Sequence, residues 1–71
     1  MHTVTYQTKL IFNDYVRFDS RIQGVKGEGR IHAITIDAEG LVGYIIMVDE
    51  EERRCVGGIS EQDITLLRHG A

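Results

Sequence analysis

The stretch Leu41-Val42-Gly43-Tyr44-Ile45-Ile46-Met47-Val48, followed by Asp49-Glu50-Glu51-Glu52-Arg53-Arg54, decides how this chain folds. By periodicity alone, eight nearly continuous apolar residues suit a buried helix as well as a strand. Their β-branched content and the bounding Gly40 and Asp49 favour a strand covered on both faces. The charged run after it then reads as a solvated hairpin tip, with Cys55 and Val56 on the returning strand. Side chains alternate across a strand, so the residues from Tyr44 to Val48 cannot all point into one core. One face fills the interior, and the other needs a cover from the chain's own N-terminal strand or from a second copy. Tyr44, Ile45, Ile46, Met47 and Val48 are therefore the candidate oligomer interface.

Upstream, Asp37-Ala38-Glu39-Gly40 is a turn cluster, and Arg30 to Ile36 is the strand before it. Its apolar residues change phase, with Ile31 and Ala33 on one parity and Ile34 and Ile36 on the other. That change requires a bulge or two buried faces. Asp19 to Glu28, with Ser20, Gly24 and Gly27 and no apolar period, predicts a long irregular loop. Tyr15 to Phe18 is a short strand with Val16 and Phe18 inward, entered through an Asn13-Asp14 turn. Val4, Tyr6, Leu10 and Phe12 share one parity, which predicts a half-wet strand from Val4 to Phe12.

Downstream, Gly57-Gly58 should loosen or bulge the returning strand. Ser60-Glu61-Gln62-Asp63 carries capping-box spacing and predicts one helical turn. Ile64 to Leu67 is a last strand, and Arg68 to Ala71 is expected to fray.

At 71 residues, 42% hydrophobic and 27% charged, the chain has the composition of one folded domain. A core of this size supplies only about 3 to 5 kcal/mol, and small domains add disulfides, metals or self-association. Cys55 is the single cysteine, so an internal disulfide is excluded and self-association is the expected supplement. The net charge of −3 argues against nucleic acid as the partner, which needs a clustered basic surface. Met1-His2-Thr3-Val4 lacks the basic start and apolar run of a signal peptide, and no stretch is long enough to span a bilayer, so a cytoplasmic chain without membrane contact is expected.

The order of short strand, loop, three strands in hairpin sequence, helical turn and final strand resembles an SH3-like barrel of five to six strands. The likeness covers Asp14 to Leu67, with 1–13 as an N-terminal strand extension of one domain. Its local carrier is Gly58-Ile59-Ser60-Glu61-Gln62-Asp63-Ile64, similar to the glycine, apolar residue and helical turn before the last strand of SH3 domains. Ser60 and Asp63 stand where that family has a proline and a tyrosine, and the chain contains no Trp, so the polyproline groove is not implied. The Asp14-Tyr15-Val16-Arg17 start, the length and the charged hairpin tip also resemble the type II dihydrofolate reductases of plasmids and mobile gene cassettes. Those are short SH3-like chains active as tetramers around a pore. Cys55-Val56-Gly57-Gly58 replaces that family's Val-Gln-Ile-Tyr pore motif, so no pore residue carries over, and what the likeness implies is assembly through barrels.

The residues offer little chemistry. Gly24-Val25-Lys26-Gly27-Glu28-Gly29 lacks the Lys-Ser/Thr ending and following helix of a phosphate loop, and reads as a flexible turn. His2, His32, His69 and Cys55 fall at no metal-ligand spacing, Cys55 has no evident base, and Asp49 to Glu52 lacks the alternation of a calcium loop, so neither metal nor cofactor is expected. Tyr15, Arg17, Arg21, Lys26 and Arg30 form the one candidate ligand patch, a footprint that could suit nucleic acid. The expected function is a non-catalytic barrel that homo-oligomerises. The alternatives are an oligomeric enzyme with its site at the symmetry axis and a nucleic-acid-binding barrel.

Overall fold

A computed structural model describes residues 8–70. Five antiparallel strands form one sheet in the order β4-β3-β2-β1-β5, with β1 at Tyr15–Ser20, β2 at Val25–Ile36, β3 at Val42–Asp49, β4 at Arg54–Ser60 and β5 at Ile64–Arg68. A single 3-10 turn, Glu61–Asp63, joins β4 to β5, which are the two edges of the sheet. Four residue steps from Ser60 to Ile64 reach at most about 14 Å. The outer strands of a flat five-stranded sheet would stand roughly 19 Å apart. The sheet must therefore curl, and β4 comes into contact with β1, although the edges do not pair and the sheet is not closed. No helix among the described residues is long and apolar enough to cross a membrane.

The core fills the concave side of the curl. Val16 and Phe18 of β1, Ile31 of β2, Tyr44 and Ile46 of β3 and Ile59 of β4 are buried together, with Leu10 from the segment before β1. Val25, Ile34, Val42, Val48, Val56 and Ile64 pack around them.

The phase change in β2 is a bulge. Ile31 pairs with Ile46 and Ala33 with Ile45, leaving His32 as the extra residue. The glycine pair in β4 acts as expected: Tyr44 pairs with Ile59 and Ile46 with Val56, which leaves one residue too many on β4, and Gly58 supplies the positive φ of 72°. The two other turns also form where expected. Asp37 accepts the Glu39 and Leu41 amides through its carboxylate, and Asp49 accepts that of Glu52.

Four expectations are corrected. The loop from Asp19 to Glu28 is a short turn between β1 and β2, and Lys26 to Gly29 lie in the ladder, paired with Asp19 to Val16. Glycines suggested a loop, but here they make room. A Cβ on Gly27 would press on the Phe18 ring at 3.2 Å, and one on Gly29 would collide with the Met47 carbonyl oxygen, because β2 passes close over β3 there.

Thr8 to Phe12 is not a strand; Val4 to Gln7, the rest of that expected strand, lie outside the described residues. Leu10 is buried but Ile11 and Phe12 are 62% and 56% exposed. The reason is a local turn in which Asp14 takes the Ile11 amide on its carboxylate and gives its own amide to the Ile11 carbonyl. The turn ends on Asn13 at φ 72°.

Ser60 makes no capping hydrogen bond, since one 3-10 turn is too short to need it and Glu61 anchors the turn instead. The expected frayed end, Arg68 to Ala71, is tied down as far as it is described: Arg68 ends β5 and the Gly70 amide donates to Asp14, while Ala71 lies outside the described residues.

Candidate interaction surface

The two edges of the sheet carry the features that bear on function. β5 pairs with β1 on one side, Val16 with Leu66 and Phe18 with Ile64. Its other side has no partner strand among the described residues. Leu66 and Leu67 of this strand are 36% and 39% exposed, and Leu67 is the extra residue of a bulge before Arg68. Along this edge lies a cavity of about 210 Å³ lined by Lys9, Leu10, Glu61, Ile64 and Leu66. An apolar floor beside open backbone groups is what an added strand needs, because main-chain bonds hold it and alternate side chains fill the floor.

Both ends of β5 are fixed. At its start, Glu61 accepts the Lys9 amide at 2.8 Å and the Tyr44 hydroxyl at 2.9 Å on one carboxylate oxygen. Burial, reinforced by that neighbouring carboxylate, pushes the Tyr44 hydroxyl up to about 12. At its end, the buried Asp14 carboxylate accepts the amides of Gly70 and Ile11, both at 3.0 Å, with the His69 imidazole 3.6 Å away. The Gly70 amide does most to hold the Asp14 carboxyl below the ordinary carboxylate range. Burial pulls the other way, and Ile11 and His69 add to the lowering.

The β4 edge is occupied at its glycine pair. From the β1–β2 turn, the Gln23 side-chain amide donates to the carbonyls of Gly57 and Gly58 at 3.1 and 3.0 Å. A larger cavity of about 510 Å³ lies where the hairpins meet, over Phe18, Val25, Val48 and Val56, with Lys26 and Arg54 among its lining residues.

The expected interface strand divides between two faces. Tyr44 and Ile46 are enclosed in the chain's own core and have no surface to offer a second copy, and Val48 turns the same way. Ile45 and Met47 are on the opposite face, where Met47 is 6% exposed, pairs with Arg30 and Cys55, and lies 3.7 Å from the Cys55 sulfur. The doubly apolar run thus has a doubly covered strand beneath it.

The expected ligand patch is mostly brought together. Tyr15 pairs with Arg30, Arg17 with Glu28 and Asp19 with Lys26 across β1 and β2, while Arg21 is apart in the turn. Two of its four cations are matched by acids, Arg17 with Glu28 at 3.3 Å and Arg30 with Glu50, and the Arg30 guanidinium also donates to Asn13. A mixed surface of this kind does not supply the clustered positive field a phosphate backbone selects. Sequence reading missed Arg68, whose guanidinium stacks 4.5 Å from the Tyr15 ring centre. It also missed Gln23 and Asp14, whose partners are far away in the chain. The consecutive Leu66 and Leu67 were the one visible signal of an exposed edge.

Compared with known protein families, curated proteins and solved structures, the chain matches none, so its function has to be argued from this geometry.

Proposed function

We propose that this chain is a barrel of SH3-like class that works as a non-catalytic interaction module and assembles with copies of itself. The strand order β4-β3-β2-β1-β5, with a 3-10 turn joining the edge strands, supports the class. The observation that carries the function is the β5 edge, which has no second partner strand among the described residues and whose part-exposed Leu66 and Leu67 lie beside a cavity lined by Leu10 and Ile64. A small domain gains most from burying such an edge, since its own core is barely sufficient.

Sedimentation velocity on the purified chain tests the reading. Reversible association across the micromolar to submillimolar range is expected. A monomer throughout that range would remove it.

A further inference from the structure

The segment Glu61-Gln62-Asp63-Ile64-Thr65-Leu66-Leu67-Arg68 is acidic at one end, apolar in the middle and basic at the other. That order fits itself when reversed. From it, and resting on the self-association just proposed, we infer that the partner of β5 is the β5 strand of a second copy, added antiparallel about a two-fold axis to make one ten-stranded sheet.

A two-fold interface places the same patch on both subunits, so the patch must be self-complementary. Antiparallel pairing sets the apolar centre of one β5 against that of the other. It also brings Arg68 of each copy beside the partner's 3-10 turn, where Glu61 and Asp63 stand in the first turn. Parallel pairing would set acid against acid and base against base.

The neighbouring surfaces permit this approach. Thr65, Leu66 and Leu67 are exposed, and Ile64 and Leu66 line the cavity into which alternate side chains of an incoming strand would reach. The bulge at Leu67 shortens the regular edge to Ile64–Leu66, so the dimer should be weak and reversible. The β4 edge does not compete, because Gln23 takes up the Gly57 and Gly58 carbonyls.

The test is sedimentation velocity on the full chain and three variants, with circular dichroism to confirm folding. Leu67→Lys should raise the dimer dissociation constant about tenfold or more. Arg68→Glu should raise it about two- to fivefold, the size of an exposed ion pair, and adding Asp63→Arg should restore it. If the wild-type chain associates but none of these variants alters it, the interface lies elsewhere; the inference then fails while self-association stands. A wild-type chain that stays monomeric overturns both. Hydrogen exchange gives an independent reading: β5 amides should gain protection with concentration, and protection that is independent of concentration would show the edge filled within one chain.

Discussion

Along β4, a glycine pair bulges the ladder, a second register shift follows at Val48, and the Gln23 side chain reaches across from the β1–β2 turn to bind two edge carbonyls. Along β5, the one irregularity comes late, at Leu67, and the strand carries part-exposed leucines where β4 has glycines. Natural sheets blunt an edge that must stay single with bulges, charges and covering groups. This chain concentrates those devices on β4, and β5, with one late bulge, is the less protected edge among the described residues. Both edges depend on the same curl of β2, which brings them within reach of a single 3-10 turn.

The strongest way to break the contrast is to stop the curl. Gly29→Ala sets a methyl group against the Met47 carbonyl, backbone against backbone, with Ile46 close behind. We expect a loss of about 3 kcal/mol or more, enough to unfold much of a domain this small, read by urea denaturation. A loss below 1 kcal/mol, roughly that of an exposed glycine change, would mean that β2 and β3 do not pass so closely.

Asp14→Ala should release the far end of β5 by removing the acceptor of the Gly70 and Ile11 amides, at a cost of about 2 to 3 kcal/mol. The pH dependence has a definite sign. The folded-state value lies below the ordinary 3.8, so Asp14 contributes stability above that value, and the contribution is lost as pH falls through the lowered one. Wild-type and Asp14→Ala stabilities should therefore converge in acid; a constant difference from neutral pH to acid would contradict the assignment.

A smaller loss, about 1 kcal/mol, is expected for Glu61→Gln at the near end of β5. Its sharper readout is an ultraviolet titration, in which the Tyr44 hydroxyl should move down from about 12 and stay above 10.0, because burial is the larger cause of the shift. In the wild-type protein, stability held by the protonated Tyr44 is present below the ordinary 10.0 and is lost as pH rises through about 12. An unchanged titration in Glu61→Gln would remove the Glu61 contact. The smallest effect belongs to Gln23→Ala, within about 1 kcal/mol, since its hydrogen bonds are exposed. It should nonetheless add a new mode of association through β4, detectable as species larger than the wild-type assembly. If no such species form, Gln23 is not what guards that edge.

Much of this architecture was legible in the chain. The Tyr44 to Val48 run, the phase change around His32 and the Gly57-Gly58 pair fix a strand, a bulge and a bulge, because alternation and positive φ are local demands. The turns at Asp37 to Gly40 and after Asp49 are local in the same way. The candidate surface was less legible. Gly27 and Gly29 looked like loop residues because what they make room for, the Phe18 ring and the Met47 carbonyl, is supplied by other strands. Arg17 and Arg30 looked like part of a basic patch because their acids come from Glu28 across the ladder and Glu50 on another hairpin.

The sequence by itself thus determined an all-β chain, the places of its central strands and the need to cover a strand on both faces, since each follows from side-chain alternation and turn chemistry within a few residues. Only the tertiary structure decided that Tyr44 and Ile46 are enclosed by this chain, that Asp14 ties the Ile11 turn to Gly70, and that, among the described residues, Gln23 covers part of the β4 edge while β5 has no second partner strand. Those outcomes depend on contacts between residues tens of positions apart, such as Asp14 with Gly70 and Gln23 with Gly57, and local pattern does not encode which distant partner arrives.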